Sequence, residues 1–113
     1  MSLTLTVVDH WEDTKRFHLI ASLLGTGNYI QGGDTIILTN PLIKSGSAPI
    51  FATAQVAGYN LIVLPGAYQS SPASAKLQVF IDSTGLELAA GVYPAALQVA
   101  GAIQLYAIFF KHI

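Results

Sequence analysis

The side chains able to do proton or covalent chemistry crowd into one stretch, Val7–Ile20, VVDHWEDTKRFHLI. It holds Asp9, Glu12, Asp13, Lys15 and Arg16, two of the three histidines (His10 and His18) and the only tryptophan, Trp11. An Asp9–His18 pair is the orienting half of a catalytic triad, but a triad also needs a nucleophile. No serine of this chain lies in a nucleophile-elbow pattern, so the pair reads as a surface contact across a hairpin. His10, His18 and Asp9 or Asp13 are the right types for a metal site. In paired strands, however, the two histidines face opposite sides, which disfavours joint ligation. Asp34, Asp82 and Glu87 are the other candidates for the paired carboxylates of glycoside hydrolysis. Each lies beside a turn glycine or serine, where turn formation and solvation explain it. The glycines at 25, 27, 32 and 33 make no phosphate loop, since neither a GK[ST] triplet nor a helix follows them. The expectation is a protein that is not an enzyme and holds no cofactor or metal.

The elements that must position these groups are strands. Leu3, Leu5 and Val7 alternate with Thr4, Thr6 and Val8, and Phe17, Leu19, Ala21 and Leu23 alternate with His18, Ile20 and Ser22. Both patterns have the period of a half-buried strand. Glu12-Asp13-Thr14-Lys15 supplies the turn between them. A turn centred on Asp13-Thr14 sets Trp11 opposite Arg16, a cation–π pair, and Asp9 opposite His18. Further strands are expected at Thr35–Thr39, Ile50–Val56, Leu61–Leu64, Ala75–Ile81 and Ile103–His112, with a short one at Leu97–Ala100. Loops rich in Gly, Asn, Ser and Pro separate them, and Ala89–Ala96 reads as a connection. Ile103–His112 is apolar on both faces, so it should be central in its sheet or covered by a neighbour. Short strands at regular spacing without a helical period predict one all-β domain over residues 1–113. The expected architecture is a single β-sandwich, jelly-roll-like, of about eight antiparallel strands.

The charge pattern narrows the function. Charged residues make up 10% of the chain, against about 25% in ordinary soluble domains. None falls between Ser45 and Ala75, nor between Leu88 and Phe110. A free monomer ordinarily keeps a charged, patch-free surface, so covering by other subunits is the favoured explanation. A net charge of -1 gives no electrostatic case for nucleic acid. The absence of cysteine excludes a disulfide framework and thiolate chemistry. The start, MSLTLTVVDHW, lacks the basic and long apolar regions of a signal peptide, so cytoplasmic synthesis is expected. Ala89–Phe110 is long enough to span a bilayer, but Pro94, Gln98, Gln104 and two glycines argue against membrane insertion. Trp11, Tyr29, Tyr59, Tyr68 and Tyr93 fall at or near loops and, with Arg16, are the expected protein-contact residues.

Six segments in order carry a resemblance that covers essentially the whole chain. They are VVDHWEDTKRFHL, GNYIQGGDTIILTN, LIKSGSAP, a GY followed by a strand and PG, GLELAAGVYPAA and the closing LYAIFFKHI. Together they resemble small virion structural proteins of tailed bacteriophages, of the capsid decoration (cement) kind. The resemblance implies a β-sandwich subunit, commonly a homotrimer, seated on the outer shell where copies of the major capsid protein meet. It implies no catalytic residues, and a location on the virion after synthesis in the bacterial cytoplasm. The alternative is a carbohydrate- or receptor-binding module of a phage fibre or tail, with Trp11 or Tyr68 stacking on a sugar ring.

Overall fold

The computed structural model describes residues 3–38, 42–43, 48–64, 66 and 75–110. Among them nine strands form: β1 (Leu3–Glu12), β2 (Arg16–Gly25), β3 (Asn28–Tyr29), β4 (Asp34–Thr35), β5 (Phe51–Gln55), β6 (Tyr59–Leu64), β7 (Lys76–Ile81), β8 (Gly91–Val92) and β9 (Ile103–Phe110). A single turn of 3-10 helix at Ala95–Leu97 is the one helical element of the described residues. No helix among them is long and apolar enough to cross a membrane.

The all-β expectation holds, but the single jelly-roll-like sandwich does not. The strands form three separate, unclosed sheets: four strands in the order β1-β2-β9-β5, three in the order β4-β7-β6, and the two-stranded ribbon β3-β8. Every pairing is antiparallel. Closure fails because three of the strands, β3, β4 and β8, are two residues long. Their sequences, Asn-Tyr, Asp-Thr and Gly-Val, sit among glycines and offer no alternating run from which a ladder could grow. The strand expected at Thr35–Thr39 is paired only at Thr35, although Ile36 and Leu38 keep the inward alternation of a strand. After β4 only Ile36 continues the contact, donating its N–H to the Ala75 carbonyl, and Thr39 lies outside the described residues. The strand expected at Leu97–Ala100 is instead the end of the 3-10 turn. Pro94, with φ fixed at -56°, starts that turn and Gln98 ends it, its N–H donating to the Ala95 carbonyl, and a further turn with Gly101 at φ 80° leads into β9.

One core unites the sheets. Phe17, Leu19, Ala21 and Leu23 of β2 point inward, as do Ile103, Leu105, Ala107 and Phe109 of β9 and Leu77 and Val79 of β7. Each large apolar side chain buried there contributes about 1.5–3 kcal/mol. The large and small sheets are joined by the tight turn Val56-Ala57-Gly58-Tyr59. A bridge between Val56 and Tyr59 closes it, with Gly58 in the left-handed region. β9 is central, between β2 and β5, as its two apolar faces suggest.

Candidate interaction face

The β1–β2 hairpin builds the site, and its register departs from the expected one. The turn is Asp13-Thr14-Lys15. The Asp13 N–H donates to the Arg16 carbonyl at 3.0 Å, and Asp13 Oδ1 accepts from the N–H groups of Lys15 and Arg16 at 3.2 and 2.8 Å. Further along, the pairing skips Val8, so that Val7 faces Ala21 and Asp9 faces Ile20. This is a β-bulge, a common way of twisting an edge strand. The turn places Trp11 opposite His18, where Arg16 was expected, and Asp9 opposite Ile20 and away from His18; the bulge resets the register of Val7 and the residues before it.

His18 is held on three sides. Its Nδ1 lies 2.9 Å from the Tyr106 hydroxyl and its Nε2 lies 3.1 Å from Asp13 Oδ2. The Trp11 indole stacks on its ring, with centroids 4.9 Å apart and planes 4° from parallel. An ionised carboxylate only accepts, so Nε2 carries the proton that Asp13 receives. In the neutral ring Nδ1 then accepts from the Tyr106 O–H. The bond to His18 is the largest of the effects that hold the Asp13 carboxyl below its ordinary value, followed by the N–H groups of Arg16 and Lys15. Tyr106 completes the stack, 6.2 Å from both Trp11 and His18. The Arg16 guanidinium lies 4.9 Å from the ring of Phe110, so the cation–π contact exists with a different aromatic partner. His10 stacks on Phe17 on the opposite face of the hairpin, 5.7 Å between centroids. Among the described residues no group of three or more His, Cys, Asp or Glu is placed to hold a metal ion.

The ladders carry this arrangement across the sheet. Trp11 pairs with His18, His18 with Ile108, and Ile108 with Phe51, a single rung spanning β1, β2, β9 and β5. Its two ends are aromatic and open, Trp11 at 42% and Phe51 at 52% exposure. The next rung is Asp9, Ile20, Tyr106 and Thr53; the one beyond it is Thr6, Ser22, Gln104 and Gln55. No side chain on these rungs is buried. Sequence reasoning found Trp11 and Arg16 on this face and missed Tyr106, Ile108 and Phe51. The available signal was the second apolar face of Ile103–Phe110.

The other expected contact residues lie elsewhere. Tyr29 and Tyr93 are each 1% exposed, packed edge to face at 5.8 Å inside the molecule. The Tyr93 hydroxyl donates to Asp34 Oδ2 and the Tyr29 hydroxyl to Glu87 Oε2, both at 2.5 Å. Tyr29 also accepts the Val79 N–H at 3.0 Å, and Glu87 accepts the Gly32 N–H at 2.7 Å. Asp34 is 2% exposed, so it is a buried acceptor for the Tyr93 hydroxyl and not a solvated turn residue. Burial first, then Glu87, pushes the Tyr29 phenol up to about 12; burial and then Asp34 push the Tyr93 phenol above its ordinary value. Tyr59 is half-buried against the core, and Tyr68 lies outside the described residues.

The chain matches no family model, no curated protein and no solved structure.

Proposed function

We propose that the chain is a non-enzymatic structural subunit of a phage virion, a capsid decoration protein that binds the outer shell and stabilises it. The observation that supports this most is the outward face of the four-stranded sheet. Its rung Trp11–His18–Ile108–Phe51 runs in register across all four strands, with Ile20 and Tyr106 beside it, and its charged residues, Asp9 and Arg16, lie on the hairpin strands β1 and β2. Such a face is rich in the Trp, Tyr, Arg and Phe that carry binding energy at interfaces. It is also pre-organised, because His18 is fixed by Asp13 and Tyr106 and in turn fixes Trp11. Little ordering entropy then has to be spent on binding. The mechanism is mass action. A protein that binds the assembled shell but not its precursor adds its binding energy to the assembled state. Repetition over a symmetric lattice makes weak single contacts multivalent.

The test is co-sedimentation of the purified chain with shells of the phage that encodes it. Saturable binding at a fixed ratio to the major capsid protein, lost in Trp11→Ala, supports the reading. Virions that neither contain the chain nor bind it overturn it. The exposed indole of Trp11 also favours a second reading, a sugar-stacking module of a fibre or tail. Binding on a glycan array that Trp11→Ala abolishes would select that one.

A further inference from the structure

We propose that His18 is a proton-operated switch of the sheet's outward face: one proton on its ring makes the middle of the face cationic and reverses the hydrogen bond to Tyr106. The switch is a property of the chain alone. Its use in docking regulates the face given to the shell above and rests on that reading.

Two polar partners fix what the proton does. In the neutral ring Nε2–H donates to Asp13 Oδ2 at 3.1 Å, and Nδ1 accepts from the Tyr106 hydroxyl at 2.9 Å. An imidazolium donates from both nitrogens. The contact with Asp13 then becomes an ion pair, and the contact with Tyr106 runs the other way, with Nδ1–H donating and the phenol oxygen accepting. The Tyr106 O–H is released from the ring, and a hydroxyl that had offered a lone pair to the outside offers a donor. Tyr106 is half-buried, so the released O–H has solvent or a partner to meet.

The surroundings hold the ring through that change. The Trp11 indole lies on it with centroids 4.9 Å apart and planes 4° from parallel, and the face of an indole attracts a cation. The Asp13 carboxyl is held below its ordinary value, so it stays ionised while the ring takes its proton. β9 presents Tyr106 and Ile108 to the ring, and β1 presents Trp11. Arg16, two residues back on β2, carries its guanidinium over Phe110, and Lys15 stands in the turn beside Asp13. Asp9 pairs with Ile20 and accepts the His10 N–H at 2.8 Å. His10 and Glu12 pair with Leu19 and Phe17 on the opposite face.

The position of the ring gives the direction of the effect. His18 sits between Trp11 and Ile108 in the rung that spans all four strands, and its side chain is 15% exposed against 58% for Asp13. A partner that covers the rung covers a neutral ring at little cost. Covering an imidazolium takes a cation out of water while its counter-charge stays at the exposed turn. Docking through this face is therefore favoured above the range in which imidazoles titrate and weakened below it.

The test follows the emission of Trp11, the only tryptophan, between about pH 8 and pH 5. An imidazolium stacked on an indole quenches it, so emission should fall in one step while circular dichroism stays constant. His18→Gln should abolish the step, and His10→Gln and His112→Gln should leave it. Nitrogen-15 spectra of the ring should show the Nε2–H tautomer at the alkaline end. Flat emission, a step that survives His18→Gln, or a neutral ring protonated at Nδ1 would each overturn the proposal. Co-sedimentation with shells should weaken several-fold toward the acid end in the native chain and stay constant in His18→Gln; shell binding equal at both ends in the native chain would overturn the docking role. Shells that bind the chain at neither end count against the proposed function alone, because the emission step and the tautomer decide the switch without them.

Discussion

Gly25 lies flat against the ring of Tyr93: a β-carbon built on Gly25 falls 2.6 Å from Tyr93 Cγ and 2.8 Å from Cδ2. The end of β2 therefore accepts a tyrosine from the distant β8 segment only because no side chain is there. Gly25→Ala must push a fully buried aromatic ring and should cost about 1–3 kcal/mol in chemical denaturation. Gly32 has open space around it, so Gly32→Ala should cost only its positive φ, about 1 kcal/mol. Equal losses at the two sites would contradict the packing account.

The hydroxyl of Tyr93 serves the buried carboxylate of Asp34. Tyr93→Phe removes that donor and should destabilise by about 2–3 kcal/mol, since a buried charge keeps its desolvation cost when its partner goes. Adding Asp34→Leu removes the charge as well and should recover part of the loss. A double variant less stable than Tyr93→Phe by the full cost of Asp34→Leu alone would show that the two side chains are not coupled.

Both buried phenols have raised pKa values, Tyr29 to about 12. A raised folded-state pKa means stability that is fully present below the unfolded tyrosine value and lost as pH rises through the folded one. Unfolding by base should thus begin near the ordinary tyrosine value of about 10 and deepen toward 12. Tyrosinate absorbance should show two phenols ionising late in the native protein. Tyr29→Phe and Tyr93→Phe should each remove one of them.

At the acid end the relevant group is Asp13, whose carboxyl is held below its ordinary value by His18 and the turn N–H groups. A depressed folded-state pKa contributes stability present above the unfolded value and lost as pH falls below it. Because Asp13 is exposed, the loss should be local: the hairpin tip and Trp11 stack loosen while the core persists. Trp11 fluorescence should change below about pH 4 before circular dichroism does. Asp13→Asn should produce the loosened signal at neutral pH.

The long strands were legible because their alternation is strict. Phe17, Leu19, Ala21 and Leu23 point to the core as the period requires, and so do Ile103, Leu105, Ala107 and Phe109. The hairpin register was not, because Val7 and Val8 are both apolar and β-branched and nothing marks the second as the extra residue of a bulge. Trp11 lies on the turn side of that bulge, and the extent of the Asp13-Thr14-Lys15 turn decides whether it meets Arg16 or His18. The burial of Tyr29 and Tyr93 was equally hidden. Their loop-like surroundings of Gly, Asn and Pro are real, but the carboxylates that receive their hydroxyls lie 58 and 59 residues away in the chain. Sheet closure depended on β3, β4 and β8, segments too short for any period to show.

The proposed function is that the chain stabilises an assembled shell by binding it. Under that proposal, the most direct measurement is the temperature at which shells of the phage proposed to encode the chain open, followed by a DNA-binding dye, with the chain stripped away and then restored in increasing amounts. The account predicts an opening temperature that rises with added chain, saturates when the lattice sites are filled, and does not rise with Trp11→Ala. An opening temperature that is the same with and without the bound chain would contradict it.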